Sequence, residues 1–237
     1  MRRPEQENEL TKLSRVAVLR LDVTDEASIL EAVAETIRRF GAIEAVVNNA
    51  GYGLVGPFEA STQEQIERQF QTNVFGPMNV VRAVLPHMRE RRSGVIANVA
   101  SMGGRITFPL YSVYHGTKWA VEGFSESLNY ELEPFGIRVK IIEPGPVKTD
   151  FYDRSKELMR KVGLTAYDSF SERAMRGMNG AGANGVPPSA TAKVIFEAVT
   201  DGSSRIRYQS NTMGLLFLRR VLSDGLFMKM IKRAVLK

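Results

Sequence analysis

VIANVASMGGRITFPLYSVYHGTK, residues 95–118, is the stretch whose reading decides the fold. An apolar run, Val95-Ile96-Ala97, passes into Asn98-Val99-Ala100-Ser101, as expected of a parallel strand buried on both faces. Gly103-Gly104 then makes a loop, and a segment of helical period follows that carries Tyr114 and Lys118. At i and i+4 those two side chains stand one turn apart on one helix face. An ammonium beside a phenol favours the phenolate by charge attraction, so the tyrosine pKa is expected to fall from its reference of about 10 toward the range of a working acid or base. Ser101 lies at the carboxyl end of the strand, where an open α/β sheet places its ligands. The Y-x-x-x-K spacing alone would equally fit a surface Tyr–Lys pair, so the neighbouring segments have to decide.

Upstream, Val16-Ala17-Val18-Leu19 reads as a short buried strand continuing into Arg20-Leu21-Asp22-Val23. Thr24-Asp25 opens a helix, Ile29, Val33 and Ile37 give it an apolar face, and Gly41 stops it. Ala45-Val46-Val47 is the next strand, ending in Asn48-Asn49-Ala50-Gly51. Gly51-Tyr52-Gly53-Leu54-Val55-Gly56 spells G-x-G-x-x-G, but a dinucleotide fingerprint must open a helix directly so that a pyrophosphate lies on its N-terminus. Pro57-Phe58 follows instead, so the match is rejected. The next helix is expected from Ser61-Thr62, with Ser61 and Glu64 as a capping box and Phe70, Val74 and Val81 facing inward. Pro77 has no N–H, which removes the helical partner of the Asn73 carbonyl and should kink the helix beside a polar side chain, a place suited to holding a water.

Downstream, the helix carrying Tyr114 is expected to run to about Phe135-Gly136. Val139-Lys140-Ile141-Ile142 is a further strand, ending in Glu143-Pro144-Gly145-Pro146-Val147-Lys148-Thr149. Residues 150–188, rich in Met, Phe, Gly and Asn, read as a long irregular segment, usually a lid or binding loop. Its Phe151, Tyr152, Met159, Phe170 and Met175 suit a bulky apolar substrate. Pro188-Ser189 opens a helix through Val199, and Arg205-Ile206-Arg207-Tyr208 is the last strand. In the basic tail at about 212–237, Phe227, Met230, Ile231 and Ala234 share one helix face and Lys229, Lys232, Arg233 and Lys237 the other. Such a helix more often packs on its own domain or a subunit partner than on an anionic membrane. Strands alternating with helices throughout make this an α/β chain with a parallel sheet.

Composition narrows the function classes. The chain has 237 residues, 43% hydrophobic and 24% charged, enough for one soluble domain with a full core. It has no cysteine and only two histidines, His87 and His115, so disulfides, thiolate chemistry and His-rich metal sites are excluded and no metal is expected. The opening MRRPEQENEL is charged, and no run approaches the roughly 18–20 apolar residues of a membrane span, so a cytoplasmic location is expected. The net charge of +6 comes mostly from the tail, where Arg219, Arg220, Lys229, Lys232, Arg233 and Lys237 face one acid, Asp224. A basic tail without aromatic platforms is not a nucleic-acid groove.

Taken together, Ser101, Tyr114-His115-Gly116-Thr117-Lys118, Leu21-Asp22-Val23, Asn48-Asn49-Ala50-Gly51 and Pro144-Gly145-Pro146-Val147-Lys148-Thr149 resemble the short-chain dehydrogenase/reductases. The resemblance implies a Rossmann-like doubly wound parallel sheet in a single domain. It also implies NADP as cofactor, with NAD as the alternative, a small apolar ketone or secondary alcohol such as a steroid- or retinoid-like compound as substrate, and a homo-oligomer. By resemblance Asn73, Ser101, Tyr114 and Lys118 are catalytic, Asn73 anchoring a relay water, Ser101 binding the reacting oxygen, Tyr114 transferring the proton and Lys118 assisting it. Arg2, Asp22, Val23, Asn48, Ala50, Gly51, Tyr114, Lys118, Pro144, Gly145, Val147 and Thr149 are implied to bind the cofactor. The family's opening strand, its Thr-Gly-x-x-x-Gly-x-Gly loop and the helix and strand after it are not in these 237 residues. The chain therefore reads as an N-terminally truncated domain over 1–237, lacking the first βαβ segment, with about five-sixths of a usual domain. On that reading the strand at 16–21 loses its partners and an edge opens beside 44–48. The alternative is a non-catalytic remnant that binds an apolar ligand or a partner without productive cofactor binding.

Overall fold

The computed structural model describes residues 1–149, 151, 155–212 and 214–236; Tyr152 and Lys237 lie outside them. In chain order the elements are α1 (Glu26–Phe40), β1 (Ala45–Asn48), β2 (Gly53–Val55), α2 (Gln63–Phe70), α3 (Gly76–Arg91), β3 (Gly94–Val99), α4 (Ser112–Leu132), β4 (Ile137–Pro144), β5 (Lys156–Leu158), α5 (Asp168–Ala183), α6 (Pro188–Thr200), β6 (Arg207–Ser210), α7 (Leu215–Val221) and α8 (Asp224–Val235). Among the described residues one parallel sheet has the order β1-β3-β4-β6, with Asn48 opposite Asn98 and Asn98 opposite Ile141. A second parallel pair joins β2 to β5.

The alternation of side chains along β4 sorts the helices. Ile137 and Val139 point into a core with Val81, Val84 and Met88 of α3 and Leu128 and Leu132 of α4. Ile142, one residue out of phase, packs with Ala198 of α6 and Tyr208 of β6. Helices thus cover both faces, the doubly wound arrangement expected. No helix among the described residues is long and apolar enough to cross a membrane.

Several expectations shift. Residues 16–19 form no strand: Val16 is exposed, no other strand among the described residues pairs with this segment, and the Leu19 carbonyl accepts instead from the Met1 amine at 2.9 Å. The capping box is Thr62 with Gln65, because the Ser61 hydroxyl instead donates to the Phe58 carbonyl of the preceding turn. The kink before Pro77 is a π-helical turn over Gln71–Phe75, closed by the Gly76 N–H on the Gln71 carbonyl. The last strand begins at Arg207 rather than Arg205.

The segment 150–188 is not one irregular loop. It holds β5 and the sixteen-residue α5, in which Ala174 and Met178 are buried one turn apart. Its glycines read as loop by propensity, yet a Cβ on Gly177 would come within 2.5 Å of the Val235 carbonyl. Glycine here permits α5 to approach α8, and packing overrides propensity. On α8 the face carrying Phe227, Ile231 and Val235 is buried in the cluster around Tyr114, so this domain itself covers it.

One buried polar chain ties the layers. Asn48 Nδ2 donates to Asn98 Oδ1 at 2.8 Å, and Asn98 Nδ2 donates to Ser125 Oγ of α4 at 2.9 Å. All three side chains are almost wholly buried, so each bond is made where water cannot replace it. Asn98→Ala leaves the Asn48 amide without its acceptor and the Ser125 hydroxyl with only its own donation to the Val121 carbonyl, and should cost about 1–3 kcal/mol of stability. Urea unfolding checks this, and a loss under about 0.5 kcal/mol would show that the chain is not a brace.

Candidate active site

β3 leaves the sheet at its carboxyl end, where the Ala100 N–H still reaches the Ile142 carbonyl at 2.9 Å. Ser101 then caps a short 3-10 turn over Met102–Gly104, its Oγ accepting from the Gly103 N–H at 3.0 Å. Among the described residues the hydroxyl's own proton has only a long contact, 3.5 Å, to the Pro144 carbonyl. It is therefore weakly engaged and available to another acceptor.

α4 passes over this strand end with Tyr114, Lys118 and Glu122 in one column. Lys118 Nζ donates to the Val99 carbonyl at 2.8 Å and stands 5.8 Å from the Tyr114 ring centre. Burial pulls the Lys118 pKa down to about 8, against the neighbouring Glu122 charge, which raises it. Glu122 is itself buried, and burial together with the Glu143 charge pushes its carboxyl up to about 7, while Arg207 and Arg105 oppose that. Arg207 Nη2 sits 3.0 Å from Glu122 Oε2, whereas Glu122 Oε1 has no hydrogen-bond partner among the described residues.

Ser101, Tyr114 and Lys118 line one cleft of about 590 Å³, together with Gly51, Pro144, Gly145, Val147 and Thr149. Its walls are aromatic and apolar: Phe108, Tyr111, Phe151 and Met178, with the Phe151 ring 5.4 Å from that of Tyr114. A second cleft of about 650 Å³ is lined by Arg2, Asp22, Val23, Ala50 and Gly51. Gly51 and Tyr52 line both, so the two are one groove. Asp22 Oδ1 accepts from the Thr24 N–H and hydroxyl at 3.0 and 2.8 Å, which with Arg2 and Arg20 holds its carboxyl below the usual range.

Two expected site residues line neither cleft. Asn48 spends its amide on Asn98. Asn73 is buried below the groove, where its amide brackets Tyr52, accepting from its N–H at 3.1 Å and donating to its carbonyl at 2.9 Å. It also donates to the Thr117 hydroxyl at 3.2 Å, and Thr117 donates to the Tyr114 carbonyl at 2.7 Å. Asn73 thus supports the floor of the site and the helix carrying Tyr114. Of the residues expected to meet a substrate, Phe151 is in the cleft, Phe170 and Met175 pack behind it, and Met159 is buried elsewhere with Leu54 and Val113.

Sequence reasoning missed Asn49, Tyr111 and His115, all in the first cleft. The signals were present. Asn48 points inward, so Asn49 at the strand end points the other way, and Tyr111 lies three residues before Tyr114. Nothing in the site favours a non-catalytic remnant, since the hydroxyl, phenol and amine share one cleft.

Glu122 is the group that raises the Lys118 pKa, and above about pH 7 it is ionised. Glu122→Gln should therefore move Lys118 deprotonation below its present value of about 8. NMR of 15Nζ-labelled lysine reads this directly, and an unchanged or raised titration would remove Glu122 from the network.

The short chain dehydrogenase family model matches residues 3–159. An uncharacterized oxidoreductase of Schizosaccharomyces pombe is 39% identical over 230 residues, which are 96% of this chain and 96% of the relative. The 3-ketodihydrosphingosine reductase of Bacteroides thetaiotaomicron is 41% identical over 141 residues, covering 60% of this chain and 52% of its own. The crystal structure of a short-chain dehydrogenase from Streptomyces avermitilis superposes with a TM-score of 0.81 at 32% identity, covering 98% of this chain and 84% of that one. With the parallel sheet and the Ser–Tyr–Lys cleft already in place, these matches make the chain a member of the short-chain dehydrogenase family of NAD(P)-dependent oxidoreductases.

Proposed function

We propose that the protein interconverts a bulky apolar ketone and its secondary alcohol, with NADP as the preferred cofactor. The observation that carries this reading is the shared cleft: Ser101, Tyr114 and Lys118 meet in about 590 Å³ walled by Phe108, Tyr111, Phe151 and Met178. That volume is within the roughly 300–1,000 Å³ of ligand sites. The reductase of Bacteroides thetaiotaomicron, by its name, acts on a ketone attached to a long alkyl chain, which agrees with such walls.

The residues present fit the two ends of a dinucleotide. Pro144, Gly145, Val147 and Thr149 border the first cleft beside Tyr114, and Arg2, Asp22, Val23, Ala50 and Gly51 border the second. Arg2 offers a guanidinium to a phosphate there, which supports NADP over NAD. When bound, the nicotinamide gives or takes the hydride.

Tyr114 hands its proton to the carbonyl oxygen in reduction and recovers it in oxidation. Ser101 donates its weakly held hydroxyl proton to the same oxygen as negative charge builds on it. Lys118 keeps its positive charge up to about pH 8. Standing 5.8 Å from the Tyr114 ring centre, that charge favours a phenolate on Tyr114 by direct attraction.

Tyr114→Phe should lower kcat for NADPH-dependent reduction of 3-ketodihydrosphingosine or retinal by about 10²–10⁴-fold while leaving the circular dichroism unchanged. The parent protein should prefer these probes to cyclohexanone. Retained turnover in Tyr114→Phe would remove the phenol from the reaction, and an NADPH fluorescence titration without saturation to millimolar would refute productive cofactor binding.

A further inference from the structure

His115 follows Tyr114 in sequence, is buried, and is not part of the Ser–Tyr–Lys chemistry, yet both of its ring nitrogens are engaged. The Phe108 N–H donates to Nε2 at 2.9 Å. An amide N–H only donates, so Nε2 must carry no proton and Nδ1 must carry it. Nδ1–H faces the Gly103 carbonyl at 2.8 Å. The ring therefore grips the loop after Ser101 at two points, one near each end. Phe108, Tyr111 and Tyr114 pack around it with ring centres 5.7–5.9 Å away.

Gly103 is also the residue whose N–H donates to Ser101 Oγ at 3.0 Å. A Cβ at position 103 would lie 2.6 Å from His115 Nδ1 and 3.3 Å from Ser101 Oγ. Only glycine lets the imidazole come this close. The chain is thus continuous: imidazole Nδ1–H to the carbonyl of Gly103, and the N–H of Gly103 to the serine oxygen. A serine oxygen that accepts a hydrogen bond is both fixed in place and a better donor of its own proton.

We propose that His115 is a positioning residue that, as the Nδ1–H tautomer, holds Gly103 so that Ser101 presents its hydroxyl proton to the cleft, and holds Phe108 as the cleft wall. The inference rests on the reaction proposed above and adds to it a residue that acts through Ser101. Burial keeps the ring uncharged, its pKa lowered from 6.5 to about 4, so the acceptor at Nε2 persists through the neutral range. A charged ring would turn a second N–H toward the Phe108 N–H and break that arm.

The test is a double-mutant cycle of His115→Phe and Ser101→Ala, reading NADPH-dependent reduction of 3-ketodihydrosphingosine, with the ring nitrogens read separately by NMR on 15N-histidine protein. His115→Phe should lower kcat roughly tenfold, with a smaller change in KM and in NADPH binding. In the Ser101→Ala background the same substitution should change kcat less than about twofold, because the group it acts through is gone. His115→Asn, whose amide still reaches the Gly103 carbonyl, should recover most of the loss, and His115→Gln less of it; this pair decides if His115→Phe does not fold. Equal losses in both backgrounds, or no loss in either, would overturn the proposal. NMR should show a protonated Nδ1 and bare Nε2 from about pH 8 down to about pH 5, and the Gly103 amide should exchange at least tenfold faster in His115→Phe than in the parent. The opposite tautomer, or titration near the ordinary histidine value, would sink the clamp even if the parent protein reduced none of the ketones, an outcome that would instead count against the proposed reaction.

Discussion

The hydrogen bond from Lys118 Nζ to the Val99 carbonyl holds the site together. An ammonium buried this deeply needs a polar partner, and the last carbonyl of β3 supplies one. The bond fixes how far along the strand α4 sits. Tyr114, one turn earlier on α4, is thereby set over the point where the chain leaves the sheet, and Ser101 is two residues beyond Val99. The same burial that requires the partner also weakens the hold on the proton. Anchoring and acid–base tuning are thus two consequences of one placement.

Close approach is the second constraint, and glycine meets it at positions that sequence alone reads as loop. At Gly145 a Cβ would stand 1.9 Å from the Asn211 carbonyl, so the turn after β4 can lie against the turn after β6 only without a side chain. Gly177 does the same for α5 and α8, and Gly103 for the imidazole of His115. Each approach brings a cleft wall inward: the turn of Pro144 and Gly145, the helix of Met178, and the loop of Ser101 and Phe108.

What could be read from the sequence was whatever depends on local period. The buried run of β3, the caps of α1 at Asp25 and Gly41, and the i, i+4 pair on α4 follow from spacing and from residue type. What could not be read depends on partners far away in the chain. Val16-Ala17-Val18-Leu19 has the composition of a strand but no strand to pair with among the described residues, and strand propensity without pairing forms no strand. The run from Asp168 to Ala183 contains glycines that suggest a loop, yet Val235 and the core around Met178 make it a helix. The cleft residues named by motif were found because the motifs lie at strand ends. Asn48 lies in such a motif and Asn73 at the helical kink before Pro77, but both turn their amides into the interior, and only the three-dimensional hydrogen bonds show it.

The charge on Lys118 extends the site to the far strand of the sheet. Glu122 raises the Lys118 pKa only when ionised, and burial and Glu143 resist that ionisation. Arg207, at the start of β6, opposes them: it lies 3.0 Å from Glu122 and 3.3 Å from Glu143. Arg105, on the loop after Ser101, reaches Glu143 at 3.4 Å from the other side. Glu122, buried beside Glu143, can stay charged only if cations balance it. Hence Arg207, which is not among the residues lining the cleft, helps set the protonation of Glu122, through it that of Lys118, and through Lys118 the cost of forming a phenolate at Tyr114. The edge strand closes the sheet and also carries the counter-charge on which the proton chemistry at the strand ends depends.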